Sequence, residues 1–269
     1  MAKTVFITGT SSGLGKLTAT HFAKHGWNVA ATMRNPERET ELTQYDNIKL
    51  FKLDVTNVAH VQAAVQGAIE AFGNIDVVVN NAGMGAYGPL ELAEEETIDW
   101  QFAVNVRGPI NVIRGFLPHF RQKREGLFIN ISSVMGLTTL MPGGSLYNMS
   151  KFALEGLTEA LYYELKPLNI ELRLIEQGGS TGNNFVNGII WNEKNITSDY
   201  DDTIHKMKEK MGNAPAELMD DPQVIVDAIY RLATRESNQF RTLVGPLSKM
   251  VMDMRNSMPV EEYLAKMAG

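Results

Sequence analysis

Short, nearly continuous apolar runs alternate with amphipathic helical patterns along the first two-thirds of the chain, and this rhythm constrains the fold most strongly. Helical patterns lie at about 14–25, 57–72, 94–122 and 150–166. The predicted strands are 4–8, 28–33, 48–53, 75–80, 127–131, 170–175 and, late in the chain, 240–244. Runs that are apolar throughout fit strands covered by helices on both faces of a parallel sheet. The pattern therefore predicts an α/β fold, a doubly wound parallel sheet with helices on both faces.

The length of 269 residues fits one domain of this class, and no linker or repeat interrupts the first 175 residues. After about residue 178 the pattern loosens. We predict a single domain over residues 1–269, in which a segment at about 182–222 covers the substrate before a closing helix and strand. Gly108-Pro109 is expected to kink the longest helix, because proline lacks an N–H and clashes with the preceding turn.

Composition excludes several classes of function. The chain has no cysteine, which rules out disulfides, thiolate nucleophiles and Cys-based metal sites. Its net charge of −6, with the two signs interspersed, argues against a nucleic-acid partner. No apolar stretch approaches the ~20 residues that span a bilayer, and no signal peptide is evident, so we predict no membrane association and a cytoplasmic location. His21 and His25 share a helix face, but no third ligand is evident and no metal is predicted.

A glycine-rich turn, Thr8-Gly-Thr-Ser-Ser-Gly-Leu-Gly15, follows the first predicted strand and opens the first predicted helix. Glycines there let the backbone approach a pyrophosphate, whose charge meets the free N–H groups of the helix start. A merely connecting loop is the alternative, but the position near the chain start favours a dinucleotide site. The residues expected to contact the cofactor are Gly9, Ser11, Ser12, Gly13 and Leu14.

The end of the second strand favours NADP(H), with NAD(H) as the alternative. An acid there would bind both ribose hydroxyls of NAD, but the strand ends Ala31-Thr-Met33 and Arg34 follows. A guanidinium in this place pairs well with a 2′-phosphate. An ordinary solvated arginine before Pro36 is the alternative interpretation.

Tyr147 and Lys151 lie four residues apart, so a helix would project both side chains from one face. Reduction of a carbonyl by hydride leaves an alkoxide that needs a proton. The pKa of a free phenol is about 10, and a neighbouring ammonium stabilises the phenolate. A surface pair on a helix is the alternative.

Upstream, Ser132 and Ser133 follow a predicted strand, at the edge where ligands bind in open α/β sheets. A serine hydroxyl there can donate to the developing oxyanion.

Taken together, these motifs resemble the classical short-chain dehydrogenase/reductases. The shared features occur in the order of that family over residues 3–185, namely the turn Thr8–Gly15, Asn80-Asn-Ala-Gly83, Asn105, Ser132-Ser133 and Tyr147-x3-Lys151. The resemblance implies a Rossmann-type fold and an oxidoreductase that interconverts an alcohol and a carbonyl. It also implies a homodimer or homotetramer formed through helices near 94–122 and 150–166.

The resemblance assigns roles to individual residues. Tyr147 would be the acid/base, Ser133 would polarise the substrate oxygen, and Lys151 would bind the nicotinamide ribose and lower the tyrosine pKa. Asn105 would hold a water that links Lys151 to solvent. Asp54 would reach the adenine, the alternative being that it caps the next helix. The remaining cofactor contacts implied are Asn81, Ala82 and Gly83 on the adenosine ribose side and Thr181 at the carboxamide. For Asn80-Asn81 the alternative is that they stabilise a structural turn.

One position departs from the family pattern. Gln177 stands where the family usually has proline before glycine, so the turn beside the nicotinamide is expected to be looser, or to present an amide to the ligand. The substrate is predicted to be an apolar alcohol or carbonyl, with Met84, Met135, Phe185 and Trp191 as its walls. A non-catalytic nucleotide-binding sensor on the same fold is the rival hypothesis, and turnover of NADPH separates the two.

Overall fold

The computed structural model describes residues 2–181, 185–194, 198–213 and 215–268. Parallel pairing accounts for every strand pair among them. The strands are β1 (Thr4–Thr8), β2 (Asn28–Met33), β3 (Ile48–Lys52), β4 (Val77–Asn80), β5 (Ala86–Tyr87), β6 (Gly126–Ile131), β7 (Ile170–Gln177), β8 (Gly179–Ser180), β9 (Ile190–Trp191), β10 (Met219–Asp220) and β11 (Arg241–Val244).

Seven of these strands form one sheet in the order β11-β7-β6-β4-β1-β2-β3. The chain therefore starts in the middle, winds outward to β3, and then crosses back past β1 to build the other half. Such a reversal of strand order places a crevice at the carboxyl ends of the central strands, where open α/β sheets bind their ligands. The predicted doubly wound parallel sheet is confirmed, and it forms one domain.

Helices cover both faces of this sheet. The helices in the described part of the chain are α1 (Gly13–Lys24), α2 (Val58–Phe72), α3 (Glu95–Phe102), α4 (Gly108–Lys123), α5 (Ser145–Leu165), α6 (Ser198–Gly212), α7 (Pro222–Ala233), α8 (Pro246–Asn256) and α9 (Val260–Ala268). Helices α1 and α7 pack on one face, around Phe22, Ile225 and Ile229. Helices α2, α4 and the carboxyl-terminal half of α5 pack on the other, around Phe116 and Leu165. The apolar strand residues are buried between these two layers.

The long helix predicted at 94–122 is interrupted by a π-helical turn. This turn, Ala103–Arg107, joins α3 to α4 without a break in the helical chain. Pro109 explains the change, because it has no N–H to donate to the Asn105 carbonyl four residues earlier. The irregularity thus falls on Asn105 rather than at Gly108-Pro109, where the kink was expected.

The region after residue 178 is more helical than the sequence pattern indicates. The predicted closing helix and strand correspond to α7 and β11, but α8 and α9 follow them. The short parallel pair β5·β9 ties this region to the chain after β4, and a second short pair, β8 with β10, joins two parts of the region itself. Part of the predicted covering segment 182–222, namely 182–184, 195–197 and 214, lies outside the described residues.

Candidate active site

The glycine turn is a backbone cradle with no room for side chains. Gly9 has φ +73°, and a Cβ there would lie 2.9 Å from the Ala82 Cα. A Cβ on Gly15 would overlap the Gly9 carbonyl oxygen and lie 2.5 Å from the Asn81 Nδ2. Ser12, the N-cap of α1, makes no side-chain capping bond, and the first turn of α1 contains no acid. The turn and the helix start therefore have the shape and the polarity that a pyrophosphate requires.

Asn81 holds this cradle in place. Its Nδ2 donates to the carbonyls of Thr8 at 2.9 Å and Gly9 at 3.1 Å. The Thr8 hydroxyl in turn accepts from the backbone N–H groups of Asn81 and Ala82, each at 3.0 Å. The Asn-Ala-Gly stretch thus stabilises the glycine turn, which was one of the two interpretations of its sequence.

A cleft of about 430 Å³ runs from the glycine turn to the predicted acid/base. It lies at the carboxyl edge of the sheet, as the strand order requires. Most of the predicted cofactor contacts line it, namely Gly9, Ser11, Ser12, Gly13, Leu14, Arg34, Asp54, Asn81, Ala82, Gly83, Tyr147 and Lys151. Phe185, Gly188 and Ile190 line it from the segment after β8.

Arg34 lies exposed at the end of β2 and lines the cleft. The nearby acid Glu39 is engaged elsewhere. Its Oε1 accepts from the backbone N–H groups of Glu41 and Leu42, and its Oε2 pairs with Lys16 Nζ at 3.0 Å. These backbone bonds and the Lys16 ammonium lower the pKa of Glu39 against the opposing effect of burial. Beside β2 the cleft therefore presents a guanidinium and no acid from this loop.

Asp54 closes a tight turn after β3. Its Oδ1 accepts from the N–H of Thr56 at 3.0 Å and from the Thr56 hydroxyl at 2.7 Å. The alternative that Asp54 caps the next helix is wrong, because Asn57 is the N-cap of α2 and accepts from two of its N–H groups. Asp54 lines the cleft, where its carboxylate is held by this turn.

Tyr147 and Lys151 lie on one face of α5 and are both buried. Lys151 Nζ lies 5.7 Å from the centre of the Tyr147 ring and donates to the Ile131 carbonyl at 2.8 Å. Burial raises the pKa of Tyr147, and a hydrogen bond with Ser133 opposes that rise. Burial lowers the pKa of Lys151 to about 8, against the opposing charge of Glu155. At neutral pH the phenol therefore holds its proton beside an ammonium.

The two serines after β6 point to different neighbours. The Ser133 hydroxyl interacts with Tyr147 and donates to the Gln177 carbonyl at 3.4 Å. The Ser132 hydroxyl is buried near Gly136, where a Cβ would lie 2.8 Å from its oxygen. The structure thus brings Ser133, and not Ser132, to the tyrosine.

Asn105 is locked into a buried network. Its Nδ2 donates to the Met84 carbonyl at 2.9 Å and to the Ser150 hydroxyl at 3.0 Å, and its Oδ1 accepts from the Met84 N–H at 2.9 Å. Ser150 donates to the Tyr147 carbonyl at 2.8 Å. Gln101 reinforces the network with bonds to Met84 and Ser150. Asn105 therefore connects the loop after β4 with the first turn of α5, which carries Tyr147.

The sequence did not identify Tyr87 as a site residue. Its ring stacks on that of Tyr147, with centroids 5.4 Å apart and an interplanar angle of 28°. Phe185 packs edge-on against Tyr147 at 5.5 Å, and Trp191 lies 6.3 Å from Tyr87. The parallel pair β5·β9 aligns Tyr87 with Trp191 and explains this grouping. A two-residue strand carries no periodicity, so no sequence signal marked it.

The remaining apolar surroundings of Tyr147 are rich in methionine. The buried cluster around its ring includes Met135, Leu140, Met207 and Val251. Of the predicted substrate walls, Met135, Phe185 and Trp191 belong to this cluster, whereas Met84 packs in the neighbouring core and lines the cleft. Thioether side chains adapt to irregular apolar shapes, so this end of the cleft suits an apolar ligand.

Gln177 and Thr181 lie on the far side of the cleft. Gln177 lines it, and the strand β7 continues through this residue in register with Val244 of β11. We expected a looser turn at this position, but the structure shows a regular strand instead. Glutamine permits this because, unlike proline, it keeps its backbone N–H. Thr181 donates its N–H and its hydroxyl to the Asp220 carbonyl, and it is not among the described residues that line the cleft.

The described residues contain neither a metal-binding cluster nor a membrane-spanning helix. No group of three or more histidine and acidic side chains among them is arranged to hold a metal ion. No helix in the same part of the chain is long and apolar enough to cross a membrane.

Comparison with known proteins gives a consistent result. Residues 3–187 match the family model of the short chain dehydrogenases. A 3-ketodihydrosphingosine reductase from Bacteroides thetaiotaomicron is 34% identical over 251 residues, covering 92% of this chain and 89% of the relative. A short-chain dehydrogenase structure from Streptomyces avermitilis superposes with a TM-score of 0.84 at 27% identity, covering 99% of this chain and 98% of the other. The NADP-bound structure of ElxO gives a TM-score of 0.73 at 26% identity, covering 90% and 96%.

The fold, the cleft and these similarities define an oxidoreductase of the Rossmann type. The chain belongs to the short-chain dehydrogenase/reductase family.

Proposed function

We propose that this protein is an NADP(H)-dependent oxidoreductase that interconverts an apolar carbonyl and its alcohol, acting chiefly as a carbonyl reductase. The observation that carries the proposal is that one cleft joins the glycine turn to the buried Tyr147–Lys151 pair. A nucleotide site alone would need no such pair. The match to a family of oxidoreductases further favours an enzyme over a nucleotide-binding sensor.

The residues of the cleft fit a dinucleotide. The turn Gly9–Gly15 would hold the pyrophosphate, Arg34 the 2′-phosphate, Asp54 the adenine, and Asn81-Ala-Gly83 the adenosine ribose side. Lys151 would bind the nicotinamide ribose, and Thr181 would reach the carboxamide only if its bond to the Asp220 carbonyl were exchanged. ElxO, at 26% identity, has a structure with NADP bound, which supports NADP(H) as the favoured cofactor, with NAD(H) as the alternative.

The proton step belongs to Tyr147. When bound, NADPH supplies the hydride that reduces the carbonyl carbon. Tyr147 donates its phenolic proton to the carbonyl oxygen as that oxygen gains negative charge, and the phenolate that remains is stabilised by the Lys151 ammonium. Burial keeps Tyr147 protonated before the reaction, so the acid is ready at neutral pH.

Ser133 and Asn105 have supporting roles in this proposal. Ser133, hydrogen-bonded to the tyrosine, would donate to the same carbonyl oxygen and stabilise its developing charge. Asn105 fixes the first turn of α5 through Ser150 and so positions Tyr147. Its proposed water link from Lys151 to solvent remains a prediction.

The substrate would enter against the aromatic and methionine side chains around Tyr147. The segment 182–222 would cover it, anchored by the β5·β9 and β8·β10 pairs. The similarity to a 3-ketodihydrosphingosine reductase supports a bulky apolar carbonyl as the substrate class. We further propose a cytoplasmic enzyme that forms a homodimer or homotetramer through α3–α4 and α5.

The test of this proposal is the variant Tyr147→Phe, which removes only the phenolic oxygen. NADPH binding should be retained, while turnover of carbonyl compounds should fall by about 10²–10⁴, the usual contribution of general acid catalysis. Near-wild-type turnover in Tyr147→Phe would remove Tyr147 from the mechanism.

A further inference from the structure

Behind the Tyr147–Lys151 pair, two buried carboxyl groups face one guanidinium. Glu155 lies on α5, one helical turn after Lys151, and its side chain is 5% exposed. Glu176 lies on β7 and is fully buried. Arg241, the first residue of β11, donates its Nε to Glu155 Oε2 at 2.9 Å, and the same Nε lies 3.9 Å from Glu176 Oε1. One cation therefore serves two carboxyls in the protein interior.

The charged neighbours of Glu176 come from α5 and β11. Successive residues of a strand point to opposite faces, so Ile175 packs toward the core of α7, around Ile225 and Ile229, while Glu176 points toward α5. The turn Val134–Gly136, which also packs against β7, carries no charge. The charged side chains of this group are Lys151, Glu155 and Glu159 from α5 and Arg241 from β11.

The hydrogen bonds in this group are incomplete if both carboxyls are ionised. Within the described part of the chain, both oxygens of Glu176 and Oε1 of Glu155 lack a well-formed hydrogen bond. Donors do lie nearby, namely the N–H groups of Thr242 and Glu176 beside the Glu176 carboxyl and the Ser132 hydroxyl beside Glu155, but they offset the effect of burial on the two pKa values only in part. The second arm of Arg241 is taken by Glu159, at 2.6 Å on the exposed side. Two ionised carboxylates would thus leave three buried acceptors without well-formed hydrogen bonds and set two like charges side by side, which is costly in the interior.

A single proton removes this conflict. A protonated Glu176 would have an O–H to donate, and Glu155 Oε1 is an unpartnered acceptor of the same group. Burial and the charge of Glu155 raise the pKa of Glu176 to about 8, and burial also raises the pKa of Glu155. Carboxyl pairs that share a site commonly retain one proton for the same reason.

The space around the pair is closed. A Cβ on Gly136 would lie 3.0 Å from Glu155 Cγ, 2.8 Å from Ser132 Oγ and 3.1 Å from the Lys151 carbonyl oxygen. The Ser132 hydroxyl is fully buried beside Glu155 and opposes the rise in the pKa of that carboxyl. The turn that carries Ser133 therefore packs directly on the carboxyl pair and on the backbone of Lys151.

We propose that Glu155 and Glu176 hold one proton between them at neutral pH, and that the single negative charge of this pair keeps Lys151 in its ammonium form. Glu155 is thus a positioning residue for Lys151, and Arg241 anchors the pair. Fully neutral carboxyls would leave Lys151 without its opposing charge, and fully ionised ones would place two like charges together in the interior with one arginine between them. The role of Lys151 in catalysis rests on the proposed function, but the proton and the charge do not.

Infrared difference spectroscopy tests the shared proton without cofactor or substrate. The spectrum of wild type minus that of Glu176→Gln at pH 7 should show the C=O band of a protonated carboxyl. This band should vanish when the pH is raised above about 8, the pKa of Glu176. The matched control is Glu159→Gln, which changes the exposed partner of the same arginine and should leave the band unchanged. A difference spectrum without a protonated-carboxyl band at pH 7 would overturn the shared proton.

The effect on Lys151 is measured by NMR titration of protein labelled with ¹³C-lysine, with Lys151→Arg used to assign the resonance. Glu155→Gln should lower the titration midpoint of Lys151 by about one pH unit, since the opposing charge is lost. Glu155→Asp should restore part of the shift and serves in its place if Glu155→Gln does not fold. An unchanged midpoint in folded variants would refute the positioning role. Because neither measurement uses NADPH, failure of the proposed function would be recognised separately, as absence of turnover.

Discussion

Tyr87 and Tyr147 stack nearly in parallel, 5.4 Å between ring centres, so the proposed acid rests on a second phenol ring. Within the described part of the chain, the Tyr87 hydroxyl donates a hydrogen bond to the Met135 sulfur alone, at 3.8 Å. The contribution of Tyr87 to the site therefore comes from its ring and not from its hydroxyl oxygen. A stacked aromatic pair is worth about 0.5–1.5 kcal/mol beyond the area it buries.

We predict that Tyr87→Leu lowers the kcat of carbonyl reduction by about tenfold, because about 1.4 kcal/mol of positioning is lost. Steady-state kinetics with a fixed carbonyl substrate measure this change. Tyr87→Phe is the control and should remain within about twofold of wild type. Equal losses in the two variants would assign the effect to the hydroxyl and contradict the stacking argument.

Arg34 is predicted to set the cofactor preference. Arg34→Asp replaces a donor to the 2′-phosphate with a repelling charge, so the ratio of kcat/KM for NADPH to that for NADH should fall by at least about tenfold. Arg38→Asp is the matched control, since Arg38 is exposed on the same loop but does not line the cleft. If both variants keep the wild-type ratio, Arg34 does not contact the phosphate.

Gly15 is predicted to be irreplaceable in the cradle. A methyl group there would overlap the Gly9 carbonyl oxygen and crowd Asn81. Gly15→Ala should therefore weaken NADPH binding by more than about tenfold in a fluorescence titration, because the turn must open. Gly212→Ala, at the end of α6, has open space for the added methyl and should bind NADPH as wild type does. Equal affinities for all three proteins would contradict the geometry of the cradle.

Glu176 is predicted to make the protein less stable as the pH rises. Its pKa is raised from the ordinary 4.5 to about 8, so the unfolded chain releases this proton at a lower pH than the folded protein does. The folded state therefore loses stability relative to the unfolded state as the pH rises from about 4.5 to about 8, by at most ~1.4 kcal/mol per unit, and no further above that.

Glu176→Gln keeps the shape of the side chain and removes its titration. Urea unfolding from pH 5 to pH 9 should show a gap in free energy between the variant and wild type that widens with pH up to about 8 and then levels off. A gap that is constant over this range would show that Glu176 is ionised throughout.

Association is predicted to use the apolar side chains exposed on α3 and α5. Phe102 and Tyr163 are 45% and 71% exposed. Single substitution of either residue by Glu should shift the protein toward monomers in sedimentation velocity, because a charge would be buried in the contact. Val260→Glu, on the distant α9, should leave the oligomer intact. If the wild-type protein sediments as a monomer, the predicted homo-oligomer is refuted.

The sequence predicted the sheet well because its strands are covered on both faces. Runs such as Val77–Asn80 and Gly126–Ile131 are short and apolar at nearly every position, which favours buried parallel strands. The helices α8 and α9 were missed because no strand follows them, and the alternation that marked the earlier helices ends at β11.

In the candidate site, the sequence could predict only those residues whose separation along the chain already places them together. Tyr147 and Lys151 share a helix face by their separation alone. Glu155, Glu176 and Arg241 come from one helix and two strands, and only the pairing of β7 with β11 brings them together. Their contact depends on tertiary structure, which local periodicity does not encode.

The central claim is that the cleft joins a cofactor to a competent proton donor. Its most direct measurement follows NADPH oxidation by the wild-type protein with a panel of apolar ketones and aldehydes, with Tyr147→Phe in parallel. We expect carbonyl-dependent oxidation of NADPH by wild type, formation of the corresponding alcohol, and near-complete loss of both in Tyr147→Phe. Tight NADPH binding with no alcohol formed by wild type would contradict it and favour a nucleotide-binding sensor.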